Sequence, residues 1–297
     1  MKYRQNCYEN QVIMDAPLGF SGVIFYIRFA MKTLSNSPQS RLRYLQRLTQ
    51  KKYREEEEKF LIEGPLLIQE ALESDWEVSE ILLTDEFLRK EAASNIIKSA
   101  ERKNVAIRKL SEKDLKKLSD TVTSQGIIGV VERRRVTLNE FWRTSQGQSI
   151  VVALDDISDP GNVGTILRTC DWFNIQGMLL SKNAVELFSP KVVRASMGAI
   201  FHLPIIEGVD LPEVLQTAKQ YGFKVIVTSL DRGKQLQSVT FPEKSIVILG
   251  NEAHGVSTAV LSEADELLTI PRFGKAESLN VAIACGVILS SIRLSQG

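Results

Sequence analysis

The sequence predicts an α/β protein of two domains, and three observations carry that prediction. The chain has 297 residues, of which 43% are hydrophobic and 25% charged. That is the composition of a soluble globular chain, with room for two domains of about 150 residues each. From Lys59 onward, short β-like runs alternate with helical ones, the pattern of α/β architecture. The charge is also unevenly divided. The whole chain carries +1, but residues 1–148 hold 25 Lys/Arg and 21 Asp/Glu (net +4), whereas residues 149–297 hold 12 and 15 (net −3). An anionic polymer would therefore meet the first half and leave chemistry to the second.

Taken in order, residues 1–30 read as an N-terminal extension. Their apolar stretch, Ala16 to Ala30, is broken by Tyr26 and Arg28 and falls short of the about 20 residues that span a bilayer. No small-residue cleavage pattern follows. Met31 is expected to be the working start, the upstream residues reflecting a misassigned initiation codon; the remaining 267 residues carry net charge 0. Between Lys32 and Arg54 lie seven Lys/Arg and no acid (Lys32, Arg41, Arg43, Arg47, Lys51, Lys52, Arg54). Tyr44 and Tyr53 are interleaved, and Leu42, Leu45 and Leu48 fall at helical spacing. This is a basic helix with one apolar stripe. Because Glu55 to Glu58 follow directly, it could contact RNA phosphates or be a solvated face of intrachain ion pairs, and both readings stand.

The first domain then continues as strand Phe60–Glu63, a helix through Leu66 to Leu72, strand Val78–Thr84, a helix through Ile96 to Lys103, strand Val105–Leu110 and strand Gly126–Glu132. Arg133–Arg135 and the polar stretch Thr144 to Ser149 mark a boundary. The expected division is 31–135, a linker at 136–148, and 149–297. The second domain reads as strand Ile150–Asp155, a helix from Asn162, strand Gly177–Leu180, a helix from Pro190, a helix over Val214–Tyr221, strands Lys224–Ser229, Ser245–Gly250 and Glu266–Ile270, and a last helix from about Ser278 to Leu294.

Cys7, Cys170 and Cys285 are too scattered for a disulfide framework, and His202 and His254 supply no zinc-like spacing, so no metal is expected. A reducing, cytoplasmic compartment is the expectation. No glycine fingerprint of a dinucleotide fold and no P-loop occurs. Gly, Asn, Glu and Arg instead gather at predicted strand ends in three places. The first, Asp159 to Arg168, follows strand Ile150–Leu154, with Asn162 expected as helix N-cap. Arg168 falls about 140° around that helix from Val163, so it points away from the core, toward a cleft or a partner chain. The second, Ile246 to Gly255, runs a buried-type strand into two glycines around Asn251 and Glu252. Glycines allow close backbone approach, and the strand's carboxyl end is where α/β sheets bind ligands; His254 reads as a turn residue. The third, Ile270 to Ala282, carries Ser278 as expected N-cap and Asn280 two residues on. The helix that follows is apolar nearly all round and must be buried all round, which predicts a homodimer.

Together, Asn162-x-Gly164-x-x-x-Arg168, Leu249-Gly250-Asn251-Glu252-x-x-Gly255 and Ile270-Pro271 through Ser278-Leu279-Asn280-Val281-Ala282 resemble the three motifs of the SpoU (TrmH-like) RNA 2′-O-ribose methyltransferases of the SPOUT superfamily. Lys59 to Gly64 and Thr121 to Gly126 are similar to the family's RNA-binding domain, so the resemblance spans about residues 40 to 295. Asn251 departs from it, standing where many relatives have a small residue. The resemblance implies a parallel-sheet catalytic domain with a C-terminal trefoil knot, preceded by a small L30e-like α/β domain. It implies S-adenosylmethionine held near Leu249, Gly250, Ile270 and Leu279, with Thr228, Ser229 and Leu230 nearby. It also implies an rRNA or tRNA substrate, a homodimer, and a catalytic set of Arg168, Asn162, Glu252, Ser278 and Asn280. The family's proposals make the arginine activate the hydroxyl. A guanidinium with a pKa above about 12 is a poor proton acceptor, so Arg168 is assigned to clamp phosphate and stabilise the developing oxyanion, with the other four positioning it or the ribose. The alternative from another class is a non-catalytic RNA-binding or ribosome-assembly protein that keeps the fold.

Overall fold

The structure, a computed structural model, describes residues 35–36, 39–144 and 147–296; the expected extension 1–30, with Cys7, and Lys32 lie outside the described residues. The first half runs β1 (Ser35–Asn36), α1 (Gln39–Arg47), α2 (Lys51–Glu57), β2 (Lys59–Glu63), α3 (Pro65–Glu73), β3 (Val78–Leu83), α4 (Glu91–Arg102), β4 (Ala106–Lys109), α5 (Glu112–Leu115) and β5 (Ile127–Glu132). These strands form one sheet in the order β1-β4-β3-β5-β2, parallel from β1 to β3 and antiparallel through β5 to β2.

The single basic helix expected from Lys32 to Arg54 is two helices. Leu42, Leu45 and Leu48 are buried against Leu82, Ile128 and Val130, as their spacing required. Most of these cations have a carboxylate neighbour within the chain: Arg41 meets Glu80, Arg47 meets Glu57, Lys51 meets Glu55, Lys52 meets Glu56 and Arg54 meets Glu186. Arg43 stays exposed without a partner among the described residues.

The stretch 136–148, expected to be a linker, contains α6 (Leu138–Thr144). Its Phe141 and Trp142 are buried beside Val151, Leu179 and Phe223. Gly177 makes room for this packing, since a Cβ there would stand 2.4 Å from the Phe141 ring. The connection is thus pinned to the second sheet by two aromatic side chains.

The second half continues as β6 (Ser149–Asp155), α7 (Pro160–Trp172), β7 (Gly177–Ser181), α8 (Pro190–Ser196), β8 (Ile205–Val209), α9 (Leu211–Gln220), β9 (Lys224–Thr228), β10 (Lys234–Gln235), β11 (Lys244–Gly250), α10 (Thr258–Leu261), β12 (Glu266–Thr269) and α11 (Val281–Gln296). Its seven strands lie in the order β10-β12-β9-β11-β6-β7-β8, every pairing parallel. Central strands of a parallel sheet are covered on both faces and read as continuous apolar runs; β6 is buried at all seven positions. α11 packs on α7 and β11. It is not buried all round within one chain: Ile283, Val287 and Leu294 remain exposed.

The two sheets share one apolar core. Phe60 and Trp76 from the first half touch Phe188 and Phe201 from the second. Polar contacts cross the same junction. His202 Nδ1 lies 2.8 Å from Asp171 and its Nε2 3.0 Å from Glu70 of α3, an arrangement that suits imidazolium, whose two N–H groups both donate. Partial burial lowers its pKa, but Asp171 and Glu70 outweigh this and hold it above the ordinary 6.5. A group whose pKa is raised on folding stabilises fully below its unfolded value and loses that contribution as pH rises through the folded one. The melting temperature of His202→Ala should therefore trail the wild type more at about pH 5.5 than at about pH 9, as differential scanning calorimetry at the two pH values would measure.

Candidate active site

The three glycine- and asparagine-rich segments meet at the carboxyl ends of β6, β11 and β12. The first opens α7. Asp159 sits at the N-cap in extended conformation, its carboxylate accepting the Asn162 backbone N–H at 2.8 Å, and Pro160 occupies the first helical position. Asn162, expected as the cap, is instead the third residue inside the helix. Asp-Pro forms the better start, because proline's fixed φ and missing N–H suit the first turn. This correction frees the Asn162 side chain for another partner. Gly164 serves packing, since a Cβ there would come within 2.3 Å of the Ala195 Cβ on α8.

The second segment leaves β11 at Gly250, where a Cβ would stand 2.3 Å from the backbone of Gly255 and Val256. Only glycine lets the returning loop lie this close. Asn251 closes that loop: its amide donates to the Asp156 carbonyl at 2.7 Å, and its side-chain oxygen accepts from the Ala253 and His254 N–H groups at 2.9 and 3.1 Å. Asn251 thus has a structural reason, and His254 is a turn residue. Asp155 Oδ2 accepts the Ser257 N–H at 2.7 Å and ties the loop to β6.

The third segment enters α11. Asn280 Oδ1 accepts the N–H groups of Ala282 and Ile283 at 2.9 and 3.3 Å, so Asn280 caps this helix. Ser278, expected there, is exposed and makes no hydrogen bond among the described residues. Because helix N–H groups claim the Asn280 oxygen, its Nδ2 faces outward and donates to Asn162 Oδ1 at 3.0 Å. Asn162 Nδ2 in turn donates to Glu252 Oε1 at 2.8 Å. One side chain from each segment is joined into a single line, Asn280 to Asn162 to Glu252.

Glu252 also receives longer contacts, at 3.4 Å, from the backbone N–H groups of Ser158 and Asp159 and from the Ser158 hydroxyl. Partial desolvation raises its pKa, but the hydrogen bond from Asn162 and those from the backbone prevail, holding it below the ordinary 4.5. At neutral pH it is an ionised acceptor. Ser158 is the contact that the motif reading missed, and Asp159, which opened the first segment, was given no role there; a capping residue directly before Pro160 was the signal for it. Arg168 lies about 9 Å along the helix axis from Asn162. It is exposed, as its helical angle predicted, and has no ion pair or hydrogen bond among the described residues.

All the expected cofactor-binding positions except Leu279, which lies just before α11, fall at the carboxyl ends of the adjacent strands β9, β11 and β12. Thr228 ends β9 with its hydroxyl donated to the Ile248 carbonyl at 2.8 Å. The Ser229 N–H reaches the Leu268 carbonyl at 2.8 Å, and the Leu230 carbonyl accepts from the Thr269 hydroxyl at 3.1 Å. Leu249 is buried and Ile270 half-buried, while Leu230 and Leu279 are exposed. The backbone groups of Ile270 and Leu279 have no hydrogen-bond partner among the described residues.

Residues 149–290 match the model of the SpoU rRNA methylase family, and residues 39–129 match the MRM3-like substrate-binding domain. The 23S rRNA (guanosine(2553)-2′-O)-methyltransferase RlmP of Bacillus subtilis (strain 168) is 32% identical over 263 residues, covering 89% of this chain and all of that protein. This chain belongs to the SpoU family of RNA methyltransferases. Among solved structures, a putative TrmH-family RNA methyltransferase from Porphyromonas gingivalis superposes with TM-score 0.75 at 32% identity, covering 88% of this chain and 100% of that one. An AdoMet-bound rRNA methyltransferase from Sinorhizobium meliloti superposes with TM-score 0.76 at 26% identity, covering 88% and 97%. The SpoU match thus covers the seven-stranded half that carries all three segments, and the substrate-binding match covers most of the first sheet.

Proposed function

We propose that this protein transfers a methyl group from S-adenosylmethionine to a ribose 2′-hydroxyl in structured RNA, an rRNA or a tRNA. The observation that carries the reading is the Asn280–Asn162–Glu252 line, whose middle member shares helix α7 with an exposed, unpaired Arg168. The cofactor is S-adenosylmethionine, as in the Sinorhizobium relative. The residues present fit it: Gly250 and Ile270, with Thr228 to Leu230, offer backbone at adjacent strand ends, and the unpartnered amides of Ile270 and of Leu279, just before α11, suit the polar edge of an adenine. The bound cofactor supplies a sulfonium methyl.

The chain's own residues have two tasks. The ribose oxygen must be held in line with the methyl, and the charge that grows on that oxygen must be relieved. Glu252, ionised, fixes the Asn162 amide; Asn162 fixes Asn280. This rigid line positions the ribose and the entry of α11, and Ser278, with a free hydroxyl, sits two residues before it. Arg168 clamps the neighbouring phosphate through its planar fork and stabilises the oxyanion.

The strand order supports a threaded C-terminus. The chain leaves β12 on the far side of β9, yet α11 packs on β11 and α7, so the last segment crosses back past β9, as the trefoil knot of the SPOUT superfamily would require. The first sheet is read as the L30e-like RNA-binding domain, residues 31–135, and residues 149–297 as the catalytic domain. The exposed stripe Ile283, Val287 and Leu294 lies on α11, and Trp172, 84% exposed, on the neighbouring α7. A second copy covering this stripe makes a homodimer and brings its surface near Arg168, one turn from Trp172. The expected compartment is the cytoplasm; no helix among the described residues is long and apolar enough to cross a membrane.

Isothermal titration calorimetry with S-adenosylmethionine separates this reading from a non-catalytic RNA-binding protein: saturable binding is expected, and its absence would favour the latter. Mapping the ribose methylation lost from total RNA in a deletion strain then names the target nucleotide.

A further inference from the structure

The segment from Pro271 to Ser278 joins β12 to the Asn280 cap and carries one aromatic residue among turn-forming and charged ones. Phe273 is 97% exposed and has no ring contact among the described residues. Burying such a ring against a partner would be strongly favourable, and its place in the third motif segment, between two cations, is what gives the exposure meaning. The Arg272 guanidinium reaches the Ala276 carbonyl at 3.4 Å, which closes the turn and presents Phe273, Gly274 and Lys275 at its tip.

Charge indicates the partner. Across the seven-stranded half, Lys182, Lys191, Arg194, Lys219 and Lys234 each lie beside a carboxylate. Arg272 and Lys275, which flank Phe273 in the turn after β12, have no ion pair among the described residues. Two such cations flanking an exposed aromatic ring in one turn suit a nucleobase between phosphates.

We propose that Phe273 is a positioning residue: a base of the substrate RNA, at or beside the methylated nucleotide, stacks on its ring while Arg272 and Lys275 hold the flanking phosphates. The inference rests on the RNA methyl transfer proposed above. Stacking holds the nucleotide out of its helix, where its ribose can reach the Asn280–Asn162–Glu252 line. Aromatic stacking tolerates any base, so this contact adds grip on an unstacked nucleotide and does not read its identity.

The test compares Phe273→Ala, Phe273→Leu and Phe273→Trp in the full chain, with unmodified rRNA and tRNA transcripts as probes. Phe273→Ala and Phe273→Leu should lower kcat/KM for RNA by roughly 5- to 150-fold, while Phe273→Trp keeps it. The indole of Phe273→Trp should add fluorescence that RNA quenches and S-adenosylmethionine alone does not. Unchanged RNA kinetics in Phe273→Ala, or full activity in Phe273→Leu, would overturn the stacking role. So would weakened S-adenosylmethionine binding or a changed oligomeric state in Phe273→Ala, since either would assign the ring to the cofactor or to a second copy. If the wild type methylates neither RNA, this inference and the proposed function fall together; if it does and Phe273→Ala matches it, only this inference falls.

Discussion

Arg168→Ala should reduce methyl transfer by at least about 10²- to 10³-fold in kcat, the loss that follows removal of one preorganised donor to a developing oxyanion. Affinity for S-adenosylmethionine should stay nearly unchanged, because no expected cofactor-binding position lies on α7. The split follows from the geometry: Arg168 is exposed and unpaired, so its removal leaves no carboxylate stranded and no helix uncapped. Arg168→Lys is the sharper variant. Lysine keeps the charge but not the planar fork, so an intermediate rate would assign part of the role to bidentate geometry. Single-turnover rates and calorimetry on the same preparations provide both readouts, and retained turnover in Arg168→Ala would remove this role.

The second large effect concerns stability. Arg54, 4% exposed, donates from Nε and from one terminal nitrogen to the two Glu186 oxygens at 2.7 and 2.6 Å, and from the other to the Leu48 carbonyl at 3.0 Å. This fork bolts α2 of the first half to the loop before α8 in the second. Arg54→Ala strands a buried carboxylate and should cost about 3–5 kcal/mol. Replacing both partners, Arg54→Met with Glu186→Leu, should cost markedly less than the single change, since an apolar pair avoids desolvating two charges. Urea melts of the single and double variants measure the difference. If Arg54 instead served RNA phosphate contact, the double variant would fold well and lose RNA affinity.

Arg54 also shows where sequence reading runs out. It stood among seven cations whose partners were undecided, because Glu186 lies 132 residues away and nothing local points to it. The central strands were legible for the opposite reason. β6 and β11 are covered on both faces, so each residue choice reports burial. β10, with both residues exposed, and β8, a partly exposed edge strand containing Gly208, carry no such run and were not anticipated. The motifs located the site, but the caps fell at Asp159 and Asn280 where Asn162 and Ser278 were expected. Asx and Ser side chains cap equally well in a one-dimensional pattern, and only the through-space line to Glu252 decides which asparagine atoms are free. α11 was legible as an apolar helix, yet its spacing says nothing of which stripe its own chain leaves open.

The most direct test of the central claim follows the methyl group. Purified protein, S-adenosylmethionine with a labelled methyl and unmodified rRNA or tRNA transcripts would be incubated, and the RNA digested to nucleosides for mass spectrometry. On fragmentation the label should travel with the ribose, and the Arg168→Ala reaction should lack it. Label that stays on the base would contradict the account.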